Sequence, residues 1–147
     1  MDVPIGYALR VGPPALADYL RLRRDAGLRA KSPEQGRRAL AGSWSFCHVT
    51  APDDETVAMG RVLGDGGWYF VVADMATAPG HRRRGLGRTV LDHLLGDIRA
   101  RAPDDAYVSL TADAAARTLY ERAGFAVFTP DQTGMQLVLD GRERAHE

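Results

Sequence analysis

The alternation of apolar and polar side chains predicts a chain of short strands interspersed with helices. Strands are predicted at residues 6–11, 44–50, 56–63, 68–77, 107–111, 125–128 and 135–139. Helices are predicted at residues 15–26, 33–40 and 85–101, with a fourth that begins near 113 and ends before 124. The strand at 68–77 is apolar on both faces around Val71 and Val72, which favours a central position in the sheet.

Residues typical of helix ends support these boundaries. Ser32, Pro33 and Gln35 predict a capping box with proline at the first helical position. Asp113 is the expected N-cap of the fourth helix, and Gly124 is expected to end it.

The order strand 68–77, helix 85–101 and strand 107–111 forms a βαβ unit, so these two strands should be parallel. The whole pattern predicts an α/β fold on a mixed sheet. At 147 residues, 45% of them hydrophobic, residues 1–147 are expected to form one domain. Residues 141–147 are expected to be a flexible charged tail.

The turn at residues 82–87, Arg-Arg-Arg-Gly-Leu-Gly, lies where the central strand passes into the third helix. Unpaired amides and the dipole at a helix start favour anions, and glycine lets a phosphate approach the backbone. Taken alone, the turn is equally compatible with a plain helix start or a solvated basic patch. It lacks the third glycine of a dinucleotide fingerprint and the Lys-Ser/Thr of a nucleoside-triphosphate loop.

Two motifs together resemble one family, the GNAT N-acetyltransferases. Arg82-x-x-Gly85-x-Gly87 is similar to that family's acyl-CoA loop, and the run from Leu119 to Phe125 is similar to its Leu-Tyr-x-x-x-Gly-Phe. The resemblance covers residues 57–139. It implies a mixed, mostly antiparallel sheet of about six to seven strands flanked by helices, with two central parallel strands that splay apart.

The same resemblance implies acetyl-CoA as co-substrate and assigns residues to it. The cofactor-binding residues implied are Met75, Ala76, Thr77, Arg82, Arg83, Arg84, Gly85, Leu86, Gly87 and Arg88. Main-chain groups at 75–77 would bind the pantetheine, and amides from 83 to 88 would bind the pyrophosphate. Tyr120 matches the family tyrosine that acts as general acid, and a phenol with a pKa of about 10 is protonated at neutral pH.

The general base stays open. Val71 stands where many family members carry a glutamate, and Asp74 is the only acid in the strand. Asp74 is the catalytic prediction, although it could equally bond to the backbone at a bulge. His48 and ordered water are the alternatives.

The resemblance also makes residues near the acceptor side candidates for substrate contact, namely Arg29, Lys31 and Trp44. For each of these we favour the plainer interpretation, a solvated charge or a core aromatic.

Charge and composition narrow the function. With 19 basic and 19 acidic residues the net charge is zero, which argues against general nucleic-acid or anionic-membrane binding. One cysteine, Cys47, excludes an internal disulfide, and the four histidines have no zinc spacing, so no metal is expected. Neither a secretory signal nor a membrane span is visible, so a cytoplasmic location is expected.

The predicted function is transfer of an acetyl group from acetyl-CoA to the primary amine of a small molecule or amino-acid-like acceptor. The resemblance implies direct attack in a ternary complex. The alternatives are a protein N-terminal or lysine acetyltransferase, a non-catalytic acyl-CoA-binding module and, least favoured, a nucleic-acid binder that uses residues 82–84. Related enzymes are often dimers, so a homodimer is among the implied states.

Overall fold

The computed structural model describes residues 3–139 and contains both strands and helices. The strands are β1 (Ala8–Val11), β2 (Ser45–Thr50), β3 (Thr56–Gly64), β4 (Tyr69–Thr77) and β5 (Tyr107–Ser109). The helices are α1 (Leu16–Asp25), α2 (Pro33–Gly42), α3 (Leu86–Arg101) and α4 (Arg117–Arg122), with 3-10 turns at Pro79–His81 and Ala114–Ala116. No helix in this described range has the length and apolar content needed to cross a membrane.

The sheet follows the order of the chain, β1-β2-β3-β4-β5. Neighbours from β1 to β4 are antiparallel, whereas β4 and β5 are parallel and are joined through α3. The predicted βαβ unit and the mostly antiparallel mixed sheet are therefore confirmed.

Helices cover both faces of this sheet and divide the core into two clusters. On one face α3 contributes Val90, Leu91 and Leu94, which contact strand residues such as Phe70. On the other face Tyr19 and Leu22 of α1 join side chains of the strands. Neighbouring residues of β2, Phe46 and Cys47, enter different clusters because successive side chains of a strand point to opposite faces.

The capping box at the start of α2 forms as predicted. The Gln35 amide donates to Ser32 Oγ at 3.1 Å, and Gln35 Oε1 accepts from the Ser32 amide at 3.0 Å. The expected cap at Asp113 is wrong, because Asp113 precedes a 3-10 turn and makes no capping bond. The fourth helix starts only at Arg117, after three alanines that favour a helix but provide no side-chain cap.

Two predicted strands, 125–128 and 135–139, do not form, so the described sheet has five strands instead of six or seven. Both runs have the apolar content of strands, but a strand exists only where a neighbouring edge accepts its hydrogen bonds. Every side chain from 126 to 139 is exposed. The predicted tail at 141–147 lies outside the described residues.

Gly60 of β3 allows α3 to approach the sheet closely. A Cβ atom at this position would lie 2.7 Å from Val90 Cγ1, which is fixed on the helix. We expect Gly60→Val to lower the free energy of unfolding by about 1–3 kcal/mol through overpacking, measured by urea denaturation. Gly96→Ala on α3 is the matched control. No atom lies within 4 Å of its added Cβ, so this change should be neutral or stabilise the chain by up to about 1 kcal/mol. Equal stability of the two variants would contradict this packing.

Candidate active site

The two central parallel strands separate at one end of the sheet. β5 pairs with β4 over three residues only, and the last pair is Val71 with Ser109. β4 continues for six more residues, to Thr77, and no strand of the described chain pairs with it on that side. Backbone groups alternate between the two sides of a strand, so the run from Met75 to Thr77 offers main-chain groups to the opening.

The chain passes from this opening into α3 through two left-handed residues. Arg83 has a φ of 63° and Gly85, the N-cap residue of α3, has a φ of 81°. Glycine adopts this conformation without the strain that a Cβ atom imposes. No atom lies within 4 Å of the place where a Cβ would project from Gly85, so the approach to its backbone is open.

The first amides of α3 have no side-chain cap among residues 3–139. The first helical bond runs from the Thr89 amide to the Gly85 carbonyl at 3.0 Å. The amides of Leu86, Gly87 and Arg88 therefore lack intrahelical acceptors and point out of the helix start. Their partial positive charge favours an anion at this position.

Arginine side chains surround this helix start. Arg82, Arg83 and Arg84 are exposed, and none of them forms an ion pair within residues 3–139. The Arg88 side chain is engaged, because its Nε lies 3.1 Å from Asp92 Oδ2. Arg82 Nε donates to the Thr77 carbonyl at 3.4 Å, but no carboxylate of the described chain neutralises Arg82, Arg83 or Arg84. Their charges are therefore available to an anion here, while Arg88 can contribute its amide.

Tyr120 lies on α4 and borders a cleft of about 980 Å³ that also reaches the ends of β5 and α4. Its ring is 7% exposed and meets Phe125 edge-on, with ring centres 6.0 Å apart. Burial, with a smaller contribution from the Asp113 charge, raises the pKa of the Tyr120 phenol. The group is thus held protonated at neutral pH and can act as a proton donor.

Asp74 lies in a β-bulge, as one sequence-based alternative suggested, but it does not bond to the backbone there. Met59 pairs with Ala76 and Arg61 with Ala73, so two residues of β4 stand opposite Gly60. Asp74 is one of the two, with a left-handed φ of 54°.

The Asp74 carboxylate is buried among three donors. Oδ2 accepts from the Tyr19 hydroxyl at 2.5 Å and from Arg61 Nε at 2.6 Å, and Oδ1 accepts from Arg23 Nη1. The Asp74 side chain is only 7% exposed. Burial and the bond to Asp74 raise the pKa of Tyr19 to about 12, so Tyr19 remains a donor.

This cluster of Tyr19, Arg23, Arg61 and Asp74 was not predicted from the sequence. Arg23 also donates to the Arg29 carbonyl at 2.7 Å, while Arg61 Nη1 reaches Ser43 Oγ at 3.4 Å. The cluster thereby ties α1, the α1–α2 loop, the end of α2 and β3 to the bulge. A signal was present, since Arg61 interrupts an apolar strand and Arg23 shares the apolar face of α1.

Other residues considered in the sequence have structural contacts elsewhere. His48 lies on β2, and its Nδ1 donates to the Gly12 carbonyl at 2.9 Å, because a carbonyl can only accept. Trp44 packs on Phe70 and under Arg101, the last residue of the 16-residue helix α3. That position is about 22 Å along the helix from its first amides. Trp44 is therefore a partly buried aromatic that packs against the core, whereas Arg29 and Lys31 are exposed.

Comparisons with known proteins identify one family. A family model described as an acetyltransferase (GNAT) domain matches residues 26–138. Serotonin N-acetyltransferase 2, chloroplastic, of rice is 31% identical over 104 residues, which are 69% of this chain and 51% of that protein. The chain therefore spans about half the length of that relative.

Solved structures of similar shape include two bacterial proteins. A protein of unknown function from methicillin-resistant Staphylococcus aureus, described as a probable acetyltransferase, has a TM-score of 0.85 and 30% identity over 90% of this chain and 99% of its own. A GNAT-family acetyltransferase from Streptococcus pneumoniae has a TM-score of 0.75 and 25% identity over 90% and 98%. The family assignment made from residues 82–87 and 119–125 is confirmed, and the chain belongs to the GNAT acetyltransferase family.

Proposed function

We propose that this chain is an N-acetyltransferase that moves an acetyl group from acetyl-CoA to the primary amine of a small molecule. One observation carries the proposal: uncapped amides at the start of α3 lie beside the opening between β4 and β5. The helix start can bind an anion, and the adjoining opening can bind an extended thiol arm through main-chain groups. A CoA thioester has both of these parts.

Binding of the donor would use the backbone more than side chains. The amides of Leu86, Gly87 and Arg88 would hold the diphosphate, helped by the exposed arginines at 82–84. Main-chain groups of Met75, Ala76 and Thr77 would pair with the pantetheine amides as an added strand does. The acetyl group would then lie near the bulge in β4.

In the reaction, the neutral amine attacks the thioester carbonyl carbon, the carbon–sulfur bond breaks, and the thiolate leaves with a proton. Tyr120 would supply that proton, because its buried phenol is held protonated and its hydroxyl has no bonding partner within residues 3–139. The products are the N-acetyl amine and free CoA. Direct attack in a ternary complex needs no covalent enzyme intermediate, and Cys47 is fully buried.

Asp74 remains the other catalytic prediction, and its contacts limit the part it can play. Three hydrogen bonds from Tyr19, Arg23 and Arg61 take three of the roughly four acceptor positions on its two oxygens, and the side chain is only 7% exposed. We therefore propose that Asp74 fixes the bulge against α1, and that ordered water takes the proton that the amine nitrogen loses once it has bonded to the carbonyl carbon. This choice among the three open candidates follows because Asp74 is buried against three donors, while His48 Nδ1 is bonded to the Gly12 carbonyl.

A small amine is the acceptor we favour. The rice relative is named for serotonin, a primary amine, and the cleft beside Tyr120 is lined largely by apolar side chains, among them Phe125 and Val127. A protein N-terminus, a lysine side chain and binding without turnover are the alternatives.

The bare helix start is tested by Gly85→Val. A β-branched residue at a φ of 81° is strained, and its side chain would stand over the amides. Loss of charge-assisted bonds of about 1.5–3 kcal/mol should weaken CoA binding at least about tenfold in calorimetry. Gly80→Val is the matched control, since Gly80 is exposed and has no atom within 4 Å of an added Cβ. Unchanged affinity in a folded Gly85→Val chain would contradict the site.

Turnover is tested with acetyl-CoA and a panel of small amines, free-N-terminal peptides and lysine peptides, read as thiol release. We expect release with small amines, and a loss of about 10²-fold in kcat for Tyr120→Phe with little change in acetyl-CoA affinity. Tyr69→Phe is the control, because Tyr69 lies at the other end of β4. CoA binding without turnover on any acceptor would indicate a binding module instead.

The role of Asp74 is tested by Asp74→Asn. Removing the buried charge leaves two guanidinium groups uncompensated, so we expect a loss of about 3–5 kcal/mol in unfolding free energy by urea denaturation. Asp18→Asn, which removes a partly exposed pair with Arg21 at 3.2 Å, should cost less than about 1 kcal/mol. Turnover that persists in the folded Asp74→Asn chain would support the structural role, whereas abolished turnover with unchanged CoA affinity would indicate that Asp74 is the general base.

A further inference from the structure

The turn between β4 and α3, residues 78–85, is fixed near its two ends. Near β4, the Ala78 amide donates to the Val57 carbonyl at 2.8 Å, and the His81 amide donates to the Ala78 carbonyl at 2.9 Å. At the other end Leu86, the first residue of α3, is 1% exposed and anchors the helix in the core. Residues 82–85 lie between these points and are all exposed, so no buried side chain fixes them.

A hydrogen bond between two side chains connects this turn to a distant part of the chain. The Tyr7 hydroxyl and His81 Nδ1 lie 2.9 Å apart, and the two rings meet edge-on with centres 5.7 Å apart. Tyr7 packs against the core cluster to which α3 contributes, and it directly precedes β1. We name this pair the Tyr7–His81 brace. The bond from Arg82 Nε to the Thr77 carbonyl is longer, at 3.4 Å, and joins residues that are close neighbours in the chain.

Arg83 is the residue of the turn that most needs such support. Its φ of 63° is left-handed, a conformation that a residue with a Cβ atom adopts only at a cost in free energy. The Arg83 side chain is exposed, so burial does not offset that cost. Strained backbone of this kind persists only where the surrounding structure holds it in place.

We propose that the Tyr7–His81 brace positions residues 82–85 for the diphosphate of CoA by holding Arg83 in its left-handed conformation. Without the brace, Arg83 would relax toward negative φ, and the amides after it would turn away from the anion. CoA would then bind only the fraction of chains that still adopt the left-handed turn, and its apparent affinity would fall by that fraction. Tyr7 and His81 are thus positioning residues that act through the turn.

This inference rests on the proposed function, since it takes the turn to be the CoA site. The conformation of the turn can nevertheless be measured without any ligand, so the two claims can fail separately. A bond that served stability alone would lower the free energy of unfolding and leave the CoA affinity of the folded chain unchanged. A bond that positions the turn affects CoA and spares pantetheine, which has no diphosphate.

Tyr7→Phe removes the bond and keeps the ring. We expect CoA to bind roughly three- to tenfold more weakly in calorimetry, the effect of losing one hydrogen bond, with pantetheine affinity unchanged. In turnover, KM for acetyl-CoA should rise while kcat at saturation stays the same. Tyr69→Phe, the same chemical change at the other end of β4, is the control and should bind both ligands as the wild type does. Wild-type CoA affinity in the Tyr7→Phe chain would overturn the proposal.

Arg83→Gly tests whether the brace acts through this residue. Glycine adopts a positive φ without strain, so the turn of this variant needs less support. Adding Tyr7→Phe to Arg83→Gly should therefore weaken CoA binding by less than about twofold, against the larger loss in the wild-type background. An equal loss in the two backgrounds would contradict a role through Arg83.

Limited digestion with trypsin examines the turn in the absence of CoA. Trypsin cleaves after arginine, and its rate at a folded site follows how readily that segment opens locally. We expect the folded Tyr7→Phe chain to be cleaved within residues 82–84 at least about threefold faster than the wild type, and Tyr69→Phe at the wild-type rate. Equal cleavage of Tyr7→Phe and wild type at 82–84 would overturn the brace, whatever the result with CoA. A wild type that binds no CoA would contradict the proposed function instead.

Discussion

The left-handed backbone of Gly85 is the constraint on which the site depends. β4 ends at Thr77 and α3 begins at Leu86, so the chain must turn sharply at the edge of the opening. Glycine lets the turn close without strain and without a side chain over the first amides. A helix capped by serine or aspartate would be more stable on its own, but its cap would fill the position that an anion needs. The start of α3 therefore lacks the stabilisation of a side-chain cap, and its first backbone N–H groups stay accessible to a ligand.

The second constraint lies on the opposite face of β4. At the bulge, Asp74 adopts a left-handed backbone conformation that glycine would adopt more easily. Its carboxylate compensates by accepting hydrogen bonds from Tyr19, Arg23 and Arg61, which glycine could not do. A buried carboxylate paired with two guanidinium groups adds little net free energy to folding. It nevertheless favours this one arrangement of side chains, because leaving any of the three charges unpaired in the interior would cost much free energy. We infer that the cluster sets where β4 bends, and hence the position of residues 75–77 relative to the start of α3.

Structures that depend on residues close together in the sequence, or on consecutive elements, were predicted correctly. The capping box at Ser32, the parallel βαβ unit and the turn at 82–87 depend on neighbouring residues, and each is present in the structure. The Asp74 cluster joins residues up to 55 positions apart, and no period in the sequence connects them. Asp113 failed as a cap because the alanines after it begin with a 3-10 turn. The strands expected at 125–128 and 135–139 do not form. The alternation of side chains within a segment does not tell whether another strand lies beside it to accept its hydrogen bonds.

The central claim is that the backbone amides at the start of α3 bind the diphosphate of coenzyme A. Calorimetric titration of the wild-type chain with CoA and with pantetheine, which has the thiol arm but no diphosphate, tests it most directly. The account predicts that CoA binds at least about tenfold more tightly and that added salt narrows the difference. Equal affinity for the two ligands, or no heat with CoA at millimolar concentration, would contradict it.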